Sequence, residues 1–122
     1  MSADLVEKAE AAAAQAYAPY SQYHVGAVVR ARDGREFEGV NVENAAYPLG
    51  VCAEKSAIVA AATAGCKPGD LAAIGITASP CGGCRQWLAE WRIGEVSFRR
   101  ADGSIAHWTA DDLLPDTWVL PA

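Results

Sequence analysis

The chain has no long apolar run, no basic stripe and only two histidines among its 122 residues. A membrane-spanning helix needs about 20 consecutive apolar residues, and no segment reaches that length. The leading MSADLVEKAE lacks the basic start and apolar core of a secretory signal, which points to a cytoplasmic protein. The net charge is −5, and the basic residues form no cluster beyond Arg99 and Arg100. A protein that tracks nucleic-acid phosphates needs clustered Lys and Arg, so the composition argues against polymeric RNA or DNA as a partner, and a small, roughly neutral ligand is easier to accommodate. Repeats, low-complexity tracts and long linkers are absent too. Residues 1–122 therefore read as one domain around one core.

What is present is alanine. The chain is 52% hydrophobic, but alanine buries little area per residue, so close helix packing or subunit association must supplement the core. Alanine and charged residues favour a helix over 3–16, stopped by Pro19. Valine-rich 24–30, the Asp33–Gly34 turn and 36–42 make a hairpin. A second helix spans 53–64, with Gly65 as its carboxy-terminal stop. Residues 71–78 are nearly continuously apolar, as a central strand is. A helix over 82–91, strands over 95–99 and 105–108, and a helical turn over 111–114 complete the order. A hairpin followed by alternating helices and strands predicts one mixed sheet with helices on both faces.

Four cysteines in a cytoplasmic chain read as metal-binding, catalytic or buried, because disulfides rarely persist there. Cys81 and Cys84 form C-x-x-C at a helix start. Such a pair aims two sulfurs at one point and by itself also describes a redox pair. Cys52 is the third sulfur, again just before a helix. Two helix amino termini would then converge, and their unpaired N–H groups would favour the anionic thiolates. Cys66 lies beyond the far end of the same helix as Cys52, about 20 Å away at about 1.5 Å per residue, which argues against a closed four-cysteine site.

Three protein ligands on zinc leave a fourth position for water, the layout of a catalytic rather than a structural site. Glu54 stands two residues after Cys52, where its carboxylate can carry protons for a metal-activated water. Lys55 and Arg85 are candidates to offset the thiolate charge. Three sulfurs with an adjacent proton-carrying Glu form the signature of zinc deaminases of nucleobases.

The segments 19-PYSQYHVGA-27, 39-GVNVENAAY-47, 52-CAEKSAIVAAATAG-65, 79-SPCGGCRQ-86 and 113-LLPDTW-118 together resemble the small homotetrameric zinc cytidine deaminases, in order and over nearly the whole chain. The resemblance implies a three-layer α/β/α sandwich around a mixed five-stranded sheet. It implies zinc on Cys52, Cys81 and Cys84, and Glu54 as the proton shuttle in hydrolytic deamination of cytidine and 2′-deoxycytidine. Asn41 and Glu43 map to the ribose-binding pair and Tyr23 to the aromatic against the ring. The Ala53 N–H maps to the donor for the pyrimidine carbonyl, and the Ser79 carbonyl to the acceptor for the exocyclic amine. Trp118 maps to the aromatic given to a neighbouring subunit's site. The sequence departs from the family pattern where Lys55 replaces Arg, Tyr23 replaces Phe and Trp118 replaces Phe. Neither His24 nor His107 is needed as a ligand. Another aminated ring, such as blasticidin S or a modified cytosine nucleoside, is the alternative substrate. A non-catalytic zinc-stabilised module and a redox protein are the alternatives outside the enzyme class.

Overall fold

Residues 2–121 are described by the structure, a computed structural model. Helix α1 (Ala3–Ala12) is followed by one 3-10 turn, Ala13–Gln15. Strands β1 (Gly26–Ala31) and β2 (Glu36–Val40) form the expected hairpin. Then come α2 (Ala53–Thr63), β3 (Leu71–Ile76), α3 (Gly82–Glu90), β4 (Glu95–Arg99), β5 (Ile105–Trp108) and the short α4 (Ala110–Leu113). The five strands make one mixed sheet in the order β2-β1-β3-β4-β5, with β3 and β4 parallel and every other pair antiparallel.

Side chains alternate across this sheet. Val28 and Ala73 face α1, where Leu5 and Ala9 cover them. Ala27, Val29, Ile74 and Ile76 face the other way and join Ala57, Ile58 and Ala61 of α2, Leu88 of α3 and Leu113 of α4 in the larger core. Helices thus lie on both faces, as the pattern of elements required.

Small residues at the contacts let the helices sit close. A Cβ added to Gly75 would lie 2.4 Å from the Leu5 carbonyl carbon of α1. One added to Gly39 would lie 2.2 Å from the Ala57 nitrogen of α2. Only glycine permits these approaches. The alanine content therefore reflects helix-on-sheet contacts of very short range.

The first helix ends four residues before the expected 16. Ala16 is extended (φ −60°, ψ 139°), because the backbone of Tyr17 must pair with the segment after β2. The Tyr17 N–H donates to Asn41 O (3.0 Å), and the Glu43 N–H donates to Tyr17 O (2.8 Å). A tertiary bridge outweighs local helix propensity here. The expected stop at Gly65 is present (φ +102°), with the Cys66 N–H closing onto Ala61 O at 3.0 Å.

Candidate active site

Two helix amino termini converge at one edge of the larger core. Cys52 is the N-cap of α2 and Cys81 the N-cap of α3, where its sulfur accepts from the Cys84 N–H at 3.5 Å. Cys84 follows one turn in and is fully buried. The three Sγ atoms lie within 4.8 Å of one another. Tetrahedral zinc with about 2.3 Å bonds to sulfur requires sulfurs roughly 3.8 Å apart, so small side-chain adjustments suffice. The donor chemistry fits as well. Burial pushes the Cys84 thiol far above its ordinary value, with the Glu54 carboxylate and Cys52 adding to the effect. Burial also raises Cys52. Cys81 goes down despite burial, because the backbone and thiol of Cys84, the Cys52 thiol and the Gly83 backbone all hydrogen-bond to it. Crowded thiols that resist ionising together are the set a divalent cation would stabilise. Cys66 is outside this group; it is buried near Arg35, whose Nη2 lies 3.6 Å from its sulfur.

Glu54, in the first turn of α2, is 4% exposed. Burial raises its carboxyl above the ordinary range, opposed by its own backbone N–H, the Cys84 thiol and Lys55. Lys55 points toward the start of α3: a Cβ on Gly83 would lie 3.9 Å from Lys55 Nζ and 4.0 Å from Cys81 Sγ. Its ammonium and the Cys81 sulfur therefore border the same point at the start of α3. Arg85 is placed differently. It donates to the Pro80 carbonyl (2.9 Å), the Leu113 carbonyl (3.1 Å) and Ser79 Oγ (3.3 Å), so it braces the loop between β3 and α3.

A cavity of about 400 Å³ opens over the cluster. Cys52, Cys81, Glu54, Ala53, Ser79, Asn41, Glu43 and Tyr23 all line it. Sequence separations of up to 58 residues, from Tyr23 to Cys81, are thus closed by the fold. Trp118 is not among the lining residues; it is 65% exposed on its own chain, with its carbonyl accepting from Gln86 Nε2 at 3.4 Å. Both histidines are exposed, and neither is in the cavity wall.

Ser21 is a site residue that sequence reasoning did not single out. Its N–H and that of Tyr20 donate to Glu43 Oε1, both at 3.0 Å, and its hydroxyl donates to Oε2. Its Oγ accepts the Tyr23 N–H at 3.0 Å. Asn41 completes the clamp, donating to Tyr23 O (2.9 Å) and accepting from the Val25 N–H (2.8 Å). These contacts hold the Glu43 carboxyl below the usual range, the Ser21 hydroxyl contributing most. The sequence signal was the serine in 19-PYS-21, beside a loop with Gln22 at φ +58°.

Comparison with known proteins agrees with this geometry. The family model for the cytidine and deoxycytidylate deaminase zinc-binding region matches residues 2–100. Cytidine deaminase from Sporosarcina psychrophila is 38% identical over 119 residues, 91% of this chain and 86% of that protein. Cytidine deaminase from Halalkalibacterium halodurans is 38% identical, over 94% of this chain and 92% of that one. The crystal structure of cytidine deaminase from Burkholderia pseudomallei superposes with a TM-score of 0.88 at 43% identity, covering 94% of this chain and 97% of that chain. The chain belongs to the cytidine and deoxycytidylate deaminase family of aminohydrolases, on the cytidine deaminase side of it.

Proposed function

We propose that this enzyme deaminates cytidine and 2′-deoxycytidine hydrolytically to uridine and 2′-deoxyuridine, releasing ammonia, with one zinc ion held by Cys52, Cys81 and Cys84. The observation that carries the reading is the shared cavity. The sulfur cluster, Glu54, the Asn41–Glu43 pair and the Ser79 loop all border one space of about 400 Å³, within the ~300–1,000 Å³ of small-molecule sites.

Bound zinc supplies Lewis acidity that eases loss of a proton from water. Glu54 takes that proton, delivers it to ring N3, and carries a further one to the departing amine. A buried carboxyl with a raised pKa suits a group that must alternate between base and acid. The Ala53 N–H belongs to the first turn of α2, where helical N–H groups have no partner within the helix. It is therefore free to donate to the pyrimidine carbonyl. The Ser79 carbonyl accepts from the exocyclic amine, on a loop that Arg85 braces. Asn41 keeps one amide donor and one lone pair beyond its loop contacts, and Glu43 keeps lone-pair capacity; both are available to ribose hydroxyls. Tyr23 packs beside the ring. Lys55 partly offsets thiolate charge as a mobile point charge, where an Arg fork would bond sulfurs at fixed geometry.

The same reading includes a cytoplasmic role in pyrimidine salvage and a homotetramer in which Trp118 reaches a neighbour's cavity. Exposed apolar side chains support association. Tyr47 (73%) and Leu49 (70%) stand near the cavity mouth, and Trp118 and Leu120 (77%) lie on the tail. Among the described residues, no helix is long and apolar enough to cross a membrane.

The test is ammonia release from cytidine and deoxycytidine by zinc-loaded protein, with light scattering to give the mass. Turnover by an assembly of four 12.8 kDa chains is expected. Fully zinc-loaded protein that leaves both nucleosides unchanged would overturn the substrate assignment. A fully active monomer would remove Trp118 from the site.

A further inference from the structure

The Ser79 carbonyl belongs to the peptide that joins Ser79 to Pro80, and Pro80 has no N–H through which that peptide could be held. The surrounding backbone adds little. Thr77 makes the last contact to the sheet, its N–H donating to Gly26 O at 3.1 Å, and the Arg85 N–H, donating to Cys81 O at 2.9 Å, already belongs to α3. Among the described residues, no backbone-to-backbone hydrogen bond reaches Ala78, Ser79 or Pro80. The Arg85 side chain grips the peptide from both sides instead. Its Nη2 donates to the Ser79 hydroxyl before it, and its Nε donates to the Pro80 carbonyl after it. Its Nη1 donates to the Leu113 carbonyl at the end of α4, where helical carbonyls have no partner within the helix. Gln86, the next residue of α3, donates to the Trp118 carbonyl. Between these points the Thr117 hydroxyl donates to the Leu114 carbonyl. Two consecutive residues of α3 thus hold both ends of the 113-LLPDTW-118 segment, a part of the sequence pattern to which only Trp118 has so far given a role.

We infer that Arg85 is a positioning residue for the departing amine, acting through the Ser79 carbonyl, with the 113–118 segment as its anchor. This rests on the deaminase reading, in which that carbonyl accepts from the exocyclic nitrogen. A guanidinium is planar and donates in fixed directions. Three acceptors on two separate segments therefore fix its plane, and the two on Ser79 and Pro80 fix the peptide between them. The carbonyl is aimed before a substrate arrives. Asn41 and Glu43 are held by the Tyr20–Val25 loop, and Glu54 by the first turn of α2. None of these takes a hydrogen bond from Arg85, so its effect is confined to the amine end of the ring.

The test sets cytidine against pyrimidin-2-one ribonucleoside, which carries hydrogen in place of the exocyclic amine and is followed as a competitive inhibitor. Zinc content and melting temperature are measured alongside. In Arg85→Gln, kcat/KM for cytidine should fall about 10²-fold, the cost of misplacing a group by about 1 Å, while the inhibition constant of the amine-free nucleoside changes by less than about twofold. Arg85→Lys keeps the charge without the fork and should recover about tenfold of that loss. It also carries the test if the glutamine variant folds poorly. Ser79→Ala removes one tether and keeps the carbonyl. Its loss should be smaller and should not add to that of Arg85→Gln, because both act on one peptide. Unchanged cytidine kinetics in both Arg85 variants overturns the role. So does an equal loss of affinity for the amine-free nucleoside, which would make Arg85 a support of the whole site, and so does full additivity with Ser79→Ala. Unsubstituted protein at full zinc occupancy that binds the amine-free nucleoside and leaves cytidine unchanged would strike the deaminase reading itself, and this role with it.

Discussion

Glu43 and Glu54 line the same cavity, one from the segment after β2 and the other from the first turn of α2, and their surroundings push them in opposite directions. Glu43 meets a ring of donors from Tyr20 and Ser21, which favours its charged form. Glu54 is enclosed among apolar atoms and thiols, which favours its neutral form. Desolvation and hydrogen bonding are separable causes of a pKa shift, and in the function proposed above each serves a different task. A carboxylate that stays ionised can hold a loop and a sugar. A carboxyl poised to gain and lose a proton can move one.

The strongest way to break this contrast is Glu54→Gln. The amide keeps the shape and loses the transferable proton, so kcat should fall about 10²–10⁴-fold or more, with zinc content unchanged by elemental analysis. Near-normal turnover at full zinc occupancy would reassign the proton transfers.

Gly39→Ala tests the distance between the two carboxylates, since Gly39 lies between the Asn41–Glu43 segment and α2. The added methyl would meet Ala57 N at 2.2 Å and Ala53 O at 2.5 Å. Overpacking of this kind costs about 1–3 kcal/mol. A lower melting temperature together with a raised KM for cytidine is expected. A fall in stability with unchanged kinetics would show that the seat of α2 does not set the site.

Glu43→Gln should act mainly on binding. Losing a charge-assisted contact of about 1.5–3 kcal/mol should raise KM roughly tenfold or more and change kcat less. An equal loss in kcat would mean that the Tyr20–Val25 loop also positions the reacting ring.

The two acids should also differ in how they couple stability to pH, measured by thermal melts of chelator-treated protein. The folded pKa of Glu43 is depressed, so its contribution is present above the unfolded value and lost as pH falls through the folded one. The folded pKa of Glu54 is raised, so the folded state holds its proton longer and stability declines as pH rises from the unfolded value through the folded one. At pH 7, Glu54→Gln should therefore raise the melting temperature of the metal-free protein, while Glu43→Gln should lower it. The same sign for both would remove the contrast.

The smallest effect belongs to Cys66→Ser. Cys66 is buried away from the other three sulfurs, so zinc content and kcat/KM should be unchanged while stability drops modestly. Loss of metal would bring Cys66 into the site.

Much of this arrangement was legible in the chain. Helix starts after Cys52 and Cys81, the stop at Gly65 and the apolar strand after Leu71 depend on neighbours a few residues apart, where periodicity and capping act. The separation of Cys66 from Cys52 followed from helix rise alone. The sequence also placed Asn41 and Glu43 together, because residues two apart on an extended chain face the same side. It did not reveal what those two side chains hold. Their partners, Tyr20 to Val25, lie some twenty residues earlier, and only the pairing of Tyr17 with the segment after β2 brings them into range. The same pairing ended the first helix early, against the propensity of its alanines. Arg85 read as a counter-charge from its place in α3, yet the loop carbonyls within its reach made it a brace. Residue type and short-range spacing determined which groups could do chemistry. Which of them meet, and which are kept charged or neutral, was decided by tertiary structure, because desolvation and hydrogen-bond supply depend on atoms from distant segments.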